Sequence, residues 1–481
     1  MNVIVTVIVV VYMLAMLAIG YYSSTKVKSN TDFMVAGRRL GPLLMAGTLA
    51  ATEIGGGSSL GVVANSYGGW GLSAAWYIIA MGIAFIILIP IAPKFRKVEV
   101  KTVPEYFRRR YDKFSGGFSA IIMILALIGL TAAQFKASAS ILEIMLGIKY
   151  STAITIVAIV ITIYAVMGGL WSVTLTDFIQ VFLIVIGMVM AIPFAFRLAG
   201  GWTSIKSNIP PEALSFTKGI GGAGHIVGYV IMYLASFSVG QEAVSRYYAA
   251  RDGKAAVQGS IAAAIINFIF AFVPVLLGLA MLAMKNQGIL DSSVVDALEN
   301  NSRYALPALA NVAMPAIICG LLFAGIISAT MSSADSDLLG AGSMFSNDIY
   351  KVFLKKDASS KEVLLITKIG MIVIGVFAYF VARWADNIIS LLAFSFTLRA
   401  AGTFCPYVFG HFWKKSSSAG SIASILGGSL FYFLLDKGVV PSIASINNII
   451  PALLLSLILF VGFSLLFPPK ELTVDLAFEE D

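Results

Sequence analysis

Two short stretches place oxygen-bearing side chains and glycine inside otherwise apolar sequence. The first is LAATEIGGGSSLG, residues 49–61, in which the carboxylate Glu53 precedes Gly55, Gly56, Gly57 and the hydroxyl of Ser58. A charge is costly at membrane depth and three glycines weaken a helix, so a plain membrane helix would carry neither. A helix interrupted here frees backbone carbonyls, hard oxygen donors that suit an alkali cation stripped of its water. The same glycines also suit close packing of helices through small residues. The second stretch is SATMSSADSDLLG, residues 328–340. At helical spacing Ser332, Asp335 and Ser336 share one face, with Ser333 and Asp337 beside them. These groups could ligate a cation, or the hydroxyls could bond back to their own helix.

Three further ionisable residues lie in apolar sequence: Lys136 in TAAQFKASAS, Asp177 in TLTDFIQ and Arg399 in AFSFTLRAAG. Asp177 lies early in its span, where a capped or solvated helix start is the simplest reading. Lys136 could bind an anionic solute group, stand in for a sodium ion, or neutralise Glu53 or Asp335. A pair with Glu53 is favoured, because charges inside membranes usually pair. Arg399 is a carboxylate binder or a structural cation. Ser236 and Phe237, and Phe396 ahead of Arg399, join Glu53, Gly55, Gly56, Gly57, Ser58 and Lys136 as residues expected to line or gate a solute site. The two histidines, His225 and His411, form no catalytic or metal cluster in the sequence. No CxxC and no phosphate-binding loop is present. An ATP-driven pump is therefore disfavoured, an enzyme lacks its constellation, and an ion gradient is the expected energy source.

The elements that must position these groups follow from composition. Of 481 residues, 59% are hydrophobic and only 12% charged, more apolar surface than a soluble fold of this length can hide. Apolar runs long enough to cross a bilayer recur about thirteen times: near 3–23, 42–67, 71–93, 115–146, 151–169, 171–197, 222–245, 255–284, 307–345, 362–383, 388–412, 418–435 and 445–467. The first has no basic n-region and is too long for a signal-peptide core. The net charge of +8 is not the mark of a nucleic-acid binder. With the N-terminus outside, roughly 22 Lys and Arg fall in inner loops against about 8 in outer ones, the bias of cytoplasmic loops. An odd number of spans then puts the C-terminus, with its tail 468–481, in the cytoplasm. Cys319 and Cys405 lie in apolar spans and imply no disulfide framework.

Two spans, 42–67 and 222–245, are rich in glycine and polar residues, and five spans begin at each. Units 42–197 and 222–412 must therefore enter the membrane from opposite sides, as inverted repeats do, with a binding site where paired interrupted helices meet at the midplane. One helix precedes them (3–23) and two follow (418–467).

These stretches resemble the sodium:solute symporters, within the wider group of LeuT-fold transporters. The resemblance is carried by TEIGGGSSLG, by GGLWSVTLTDFIQ at 168–180, by SRYYAARD at 245–252, and by SATMSSADS followed by NDIYK at 347–351, and it extends over essentially the whole chain. It implies an all-α integral membrane fold with a LeuT-type 5+5 inverted repeat. It also implies a sodium site made of the carbonyls of Ala51, Ile54 and Ala329 and the hydroxyls of Ser332 and Ser333. A second sodium would use Asp177 with Ser333 or Ser336. Glu53 departs from the neutral residue or aspartate that the family more often places there.

The expectation is thus a multi-pass plasma-membrane symporter that imports a small organic solute with Na+ by alternating access. Lys136 and Arg399 tilt the solute toward one bearing a carboxylate. Its partners are the solute, sodium and lipid, with no nucleic acid and no obligate protein partner. The competing readings are a proton-coupled symporter and a solute sensor with a transporter fold.

Overall fold

The computed structural model describes residues 3–24, 39–97, 100–385, 387–443 and 446–469, and all regular elements among them are helical. Residues 470–481, most of the expected tail, lie outside the described residues. Each of the thirteen apolar runs forms helix. Large apolar side chains such as Leu125, Ile159, Ile269, Phe377 and Ile458 stay exposed on the outer faces, where lipid solvates them. The charged side chains Glu53, Lys136, Asp177, Glu242, Arg246, Asp335, Asp337 and Arg399 are all buried. Caps mark several helix starts: Asp112, Asp252 and Asn387 accept from the backbone N–H three residues on, at 2.7, 2.7 and 3.1 Å.

Among the described residues, ten helices are long and apolar enough to cross a membrane, and eleven if one bent pair counts as a span. Three of the thirteen runs stand apart from these ten: the first helix, the broken run 42–67 and the bent pair. The first helix, Val3–Ser24, has 22 residues and no charged side chain, so it is long and apolar enough to be added to that number. Run 42–67 is broken: its first half, Pro42–Glu53, has 12 residues, while its second half continues into the next run as Gly57–Leu88. A turn with Gly69 at φ 117° and Gly71 at φ 54° bends the chain within that stretch, and positive φ is open to glycine at little cost. Gly169 (φ 58°, ψ −165°) divides Tyr150–Leu198 at the boundary expected between runs 151–169 and 171–197. Run 307–345 begins too early, because Pro315 caps a new helix, Ala316–Met344, after a separate Ala305–Ala313.

The second interrupted helix is the bent pair, Ala223–Val239 and Gln241–Ala249, at 54°. The two broken helices are tied together at one end. Leu40 N–H donates to Ala249 O (3.0 Å) and Arg251 N–H to Leu40 O (2.9 Å). This end is heavily closed. Thr102 Oγ1 donates to Asp348 Oδ2 (2.6 Å), Val103 N–H to Gln241 Oε1 (2.8 Å) and Arg110 Nη2 to Trp413 O (3.0 Å). Tyr248 and Tyr407 share a hydrogen bond of 2.9 Å between their hydroxyls. At the opposite end a cavity of about 600 Å³ opens between Trp70, His225, Tyr229, Asn387, Tyr432 and Asn447.

The bend at Gly240 is fixed by packing. A Cβ there would lie 2.5 Å from Arg399 Nη2 and 2.7 Å from Glu242 Oε1, so only glycine lets that ion pair approach the break. Gly240→Ala should therefore destabilise the protein by about 2 kcal/mol, seen as a lower melting temperature in detergent. Gly462→Ala, whose Cβ would meet nothing within 4 Å, should be near neutral or stabilising. Equal melting temperatures for Gly240→Ala and wild type would refute the packing explanation.

Candidate functional site

The first break runs from Ile54 to Gly56. Pro42–Glu53 ends as Ile54 N–H donates to Ala50 O (2.9 Å), and Ile54 itself leaves helical geometry at φ −84°, ψ 71°. Hydrogen bonding resumes with Ser59 N–H to Gly55 O and a π-type Gly61 N–H to Gly56 O. Between these, side chains satisfy part of the backbone. Gln134 Oε1 accepts from Gly56 N–H (2.8 Å), Ser58 Oγ donates to Glu53 O (2.7 Å) and Ser333 Oγ donates to Thr52 O (3.0 Å). The carbonyls of Ala51 and Ile54 accept no hydrogen bond among the described residues.

Of the two purposes the sequence offers the glycines, interruption and close packing, the second shows directly in their contacts. None of Gly55, Gly56 and Gly57 has a positive φ, and Gly56 is αR. What excludes larger residues is space. A Cβ on Gly55 would sit 2.6 Å from Ser333 Oγ, and one on Gly56 2.4 Å from Ala137 Cβ. The break is thus pressed against helices Lys113–Leu146 and Ala316–Met344.

On the latter helix the serine pair divides. Ser333 faces the break, bonding Thr52 O and, at 3.2 Å, Ala329 O. Ser332 instead donates to Asp177 Oδ1. Asp177 is fully buried, not a solvated helix start. Its Oδ2 accepts from Thr48 Oγ1 (2.5 Å) and from Arg246 Nη2 (3.3 Å). Arg246 also donates to Ser336 Oγ (2.6 Å) and Glu242 O (2.5 Å). The group expected around a second sodium is therefore brought together only in part. Asp177, Ser332 and Ser336 meet, Ser333 does not join them, and a guanidinium stands among them. Asp335 lies next to this group, its Oδ2 buried without a hydrogen-bond partner.

Two pairings expected of the cations are corrected. Lys136 does not pair with Glu53. Its Nζ donates to Ala385 O and lies 5.3 Å from the Tyr150 ring centroid, a carbonyl at a helix C-terminus being a favourable place for a cation. Arg399 is not open to a solute. It is held through both terminal nitrogens by Glu242, at 2.7 and 2.5 Å, and donates Nε to Ser236 Oγ (2.7 Å). Glu53 Oε1 has no hydrogen-bond partner. Phe237 stacks on Phe85 with centroids 5.2 Å apart, and Phe396 meets Tyr233 at 5.5 Å. Tyr233 continues through Tyr77 (5.6 Å) to Tyr229 (5.9 Å), which also lines the large cavity. This aromatic row separates the cavity from the break.

Sequence reasoning passed over Arg246, Glu242, Thr48 and Gln134. A signal existed for the first two: in GQEAVSR a carboxylate and a guanidinium stand four apart, hence on one helix face, after an apolar run. Nothing local marks Thr48 or Gln134, whose partners are 129 and 78 residues away.

Two broken helices, pinned together at one end of an all-helical bundle, with buried charges at both breaks and free carbonyls at the first, define an ion-coupled secondary transporter. The profile of the Sodium:solute symporter family matches residues 33–428, and the chain belongs to that family. Sodium/proline symporter 2 of Staphylococcus saprophyticus is 25% identical, over 94% of this chain and 91% of its own. The osmoregulated proline transporter OpuE of Bacillus subtilis (strain 168) is also 25% identical, over 93% and 92%. Among solved structures, an outward-open, substrate-bound Na+-coupled sialic acid symporter aligns with a TM-score of 0.82 and 22% identity, covering 98% of this chain and 99% of that one. Mhp1, a nucleobase-cation-symport-1 family transporter in a closed conformation, aligns at 0.58 and 12% identity, over 94% and 99%. The fold is the LeuT type.

Two double-mutant cycles on unfolding in detergent test these pairings. Arg246→Met and Asp177→Asn should each cost about 3–5 kcal/mol, and the double mutant clearly less than their sum, because each single change leaves one buried group uncompensated. Lys136→Met and Glu53→Gln should instead add. A coupling energy near zero for the first pair, or above about 1 kcal/mol for the second, would contradict the geometry.

Proposed function

We propose that this protein couples the inward flow of sodium to the uptake of a small organic solute by alternating access. The observation that carries the reading is the first break. The carbonyls of Ala51 and Ile54 accept no hydrogen bond, and Ser333 Oγ reaches the same turn, within 3.0 Å of Thr52 O. Bare carbonyls in a membrane interior need an electropositive partner. Sodium, as transported ion, would be held by the carbonyls of Ala51, Ile54 and Ala329 and the hydroxyls of Ser332 and Ser333. Ser332 would turn from Asp177 to complete the set. The two units 42–197 and 222–412 would then rock about the paired breaks.

The heavily bonded end at residues 101–111 would be the cytoplasmic gate, and the 600 Å³ cavity the outer vestibule, with the aromatic row and Leu392 between it and the site. The protein would sit in the plasma membrane with its N-terminus outside and its C-terminus in the cytoplasm. A carboxylate on the solute agrees with the proline and sialic acid in the relatives' names. Its anchors would not be Lys136 or Arg399 as they stand, because Ala385 and Glu242 engage them.

Reconstituted into proteoliposomes, the protein should take up a radiolabelled solute from a panel that includes proline only with an inward sodium gradient. Ser333→Ala should raise the half-saturating sodium concentration about tenfold or more while the protein purifies and melts normally. Uptake driven equally well by a proton gradient without sodium, or an unchanged sodium dependence in Ser333→Ala, would refute the proposal.

A further inference from the structure

We infer that the solute carries a positively charged group, of the size of an ammonium, which Glu53 and Asp337 hold in a buried cavity beside the first break. The inference rests on the symporter reading above and names the solute's chemistry. The cavity is small, about 20 Å³, room for one water-sized group. Its polar wall is made by Glu53, Asp337, Glu242, Gln134, Ser333 and Thr52. Leu130, Leu392 and Phe396 close the rest.

The charges on that wall do not balance. Glu242 is matched, because both its oxygens accept from Arg399. Glu53 is 6% exposed and Asp337 3%. Glu53 Oε1 is buried with no hydrogen-bond partner, and no hydrogen bond or ion pair of the described residues reaches the Asp337 carboxylate. Arg246, the other guanidinium nearby, is committed to Asp177, Ser336 and the Glu242 carbonyl. Two carboxylates without a cation of their own thus line one small space among buried residues, where an unpaired charge is expensive. A cationic guest removes that cost.

The donor set selects an organic cation over a bare metal ion. Gln134 Oε1 is taken by Gly56 N–H, the Ser333 hydroxyl points its proton at Thr52 O and Ala329 O, and the Thr52 hydroxyl bonds Thr48 O. Those hydroxyl and amide oxygens keep lone pairs but carry no charge, so the unmatched negative charge of the wall rests on the two carboxylates, and three apolar side chains complete it. An ammonium has three donors, which two carboxylates satisfy, and its carbon substituents suit Leu130, Leu392 and Phe396. A sodium ion needs a shell of oxygens on all sides, and the side of this wall made by Leu130, Leu392 and Phe396 supplies none. The rest of the solute would lie where Phe396 and Tyr233 part, on the path from the large cavity.

The test uses the purified full-length protein in detergent at saturating NaCl and reads melting temperature against a size-graded panel of cationic, zwitterionic, anionic and neutral organic solutes. It includes pyrrolidine, proline and the amine-free cyclopentanecarboxylate. Only solutes with a protonated or quaternary nitrogen should stabilise the wild type. Glu53→Gln and Asp337→Asn should each weaken that response by about tenfold or more, and Glu53→Asp should keep most of it. Two variants are used so that one failing to fold leaves the other decisive. Stabilisation by anionic or neutral solutes alone, a panel without any cationic or zwitterionic hit, or an undiminished response in both Glu53→Gln and Asp337→Asn would overturn the inference. So would loss, in Glu53→Gln, of the shift caused by NaCl without solute, which would make an inorganic cation the guest. The NaCl shift of the wild type, read alone, reports on the proposed sodium site and separates failure of the symporter reading from failure of this one.

Discussion

In hydrocarbon, every backbone N–H and C=O must find a partner inside the protein, and this constraint governs the rest of the molecule. It makes continuous helix the default and makes each interruption a place where something else must supply hydrogen bonds. At the first break Gln134, Ser58 and Ser333 serve three of the freed groups. At the second, Gly240 N–H bonds Ser236 O and the Arg399–Glu242 pair lies against the bend. The breaks exist because these partners surround them, and Gln134, Ser333 and Arg399 each come from a different helix. The surroundings of the site are therefore fixed by the needs of the backbone before any ligand is considered.

The second constraint is charge. Buried ionisable groups survive when they are paired, and here the pairing is uneven. Asp177 with Arg246 and Glu242 with Arg399 are closed pairs; Asp177 also accepts from Thr48, and Arg399 also donates to Ser236. Glu53, Asp335 and Asp337 have no such cation. All three lie on the helix of the first break or on Ala316–Met344, and both closed pairs take one member from Gln241–Ala249. The arginines thus tie the second broken helix to its neighbours, while the unmatched carboxylates gather around the first. Such a division leaves one half braced and the other open to cations.

Much of this was legible in the sequence, for definite reasons. Helices in lipid are spelled by hydropathy alone, so all thirteen runs appeared, and Gly169 fell where two of them were separated. The two interrupted spans were visible because glycine, serine and a carboxylate are out of place in a lipid-facing helix. What could not be read was who meets whom. Lys136 and Glu53 looked like partners because both were buried and opposite in charge, yet helix rotation sends Lys136 to Ala385. The serine pair looked like a unit because the residues are adjacent, yet adjacent helical residues point about 100° apart, so Ser332 and Ser333 serve different neighbours. The triple glycine suits both an interruption and close packing; the helix does break beside it, at Ile54, and the glycines make room there for the neighbouring helices. Boundaries at Pro315 and at the first break moved because capping and tertiary contact, not hydropathy, end those helices.

The division of the serine pair has a consequence for coupling. Ser333 touches the first break and lines the small acidic cavity, while Ser332, one residue earlier, holds Asp177 and through it Arg246. One turn of Ala316–Met344 thus stands between the free carbonyls, the unmatched carboxylates and the ion pair that braces the second broken helix. On the proposed reading, a sodium ion drawing Ser332 toward Ala51 and Ile54 withdraws a hydrogen bond from Asp177 and loosens its hold on Arg246. The same ion fixes Ser333 and, with it, the wall of the cavity beside Glu53. Ion binding would then alter both the solute's pocket and the brace that keeps the two broken helices in register, because the three share a single helical turn. A more distant linkage would have to travel through packed side chains. This one needs only the rotation of two neighbouring hydroxyls.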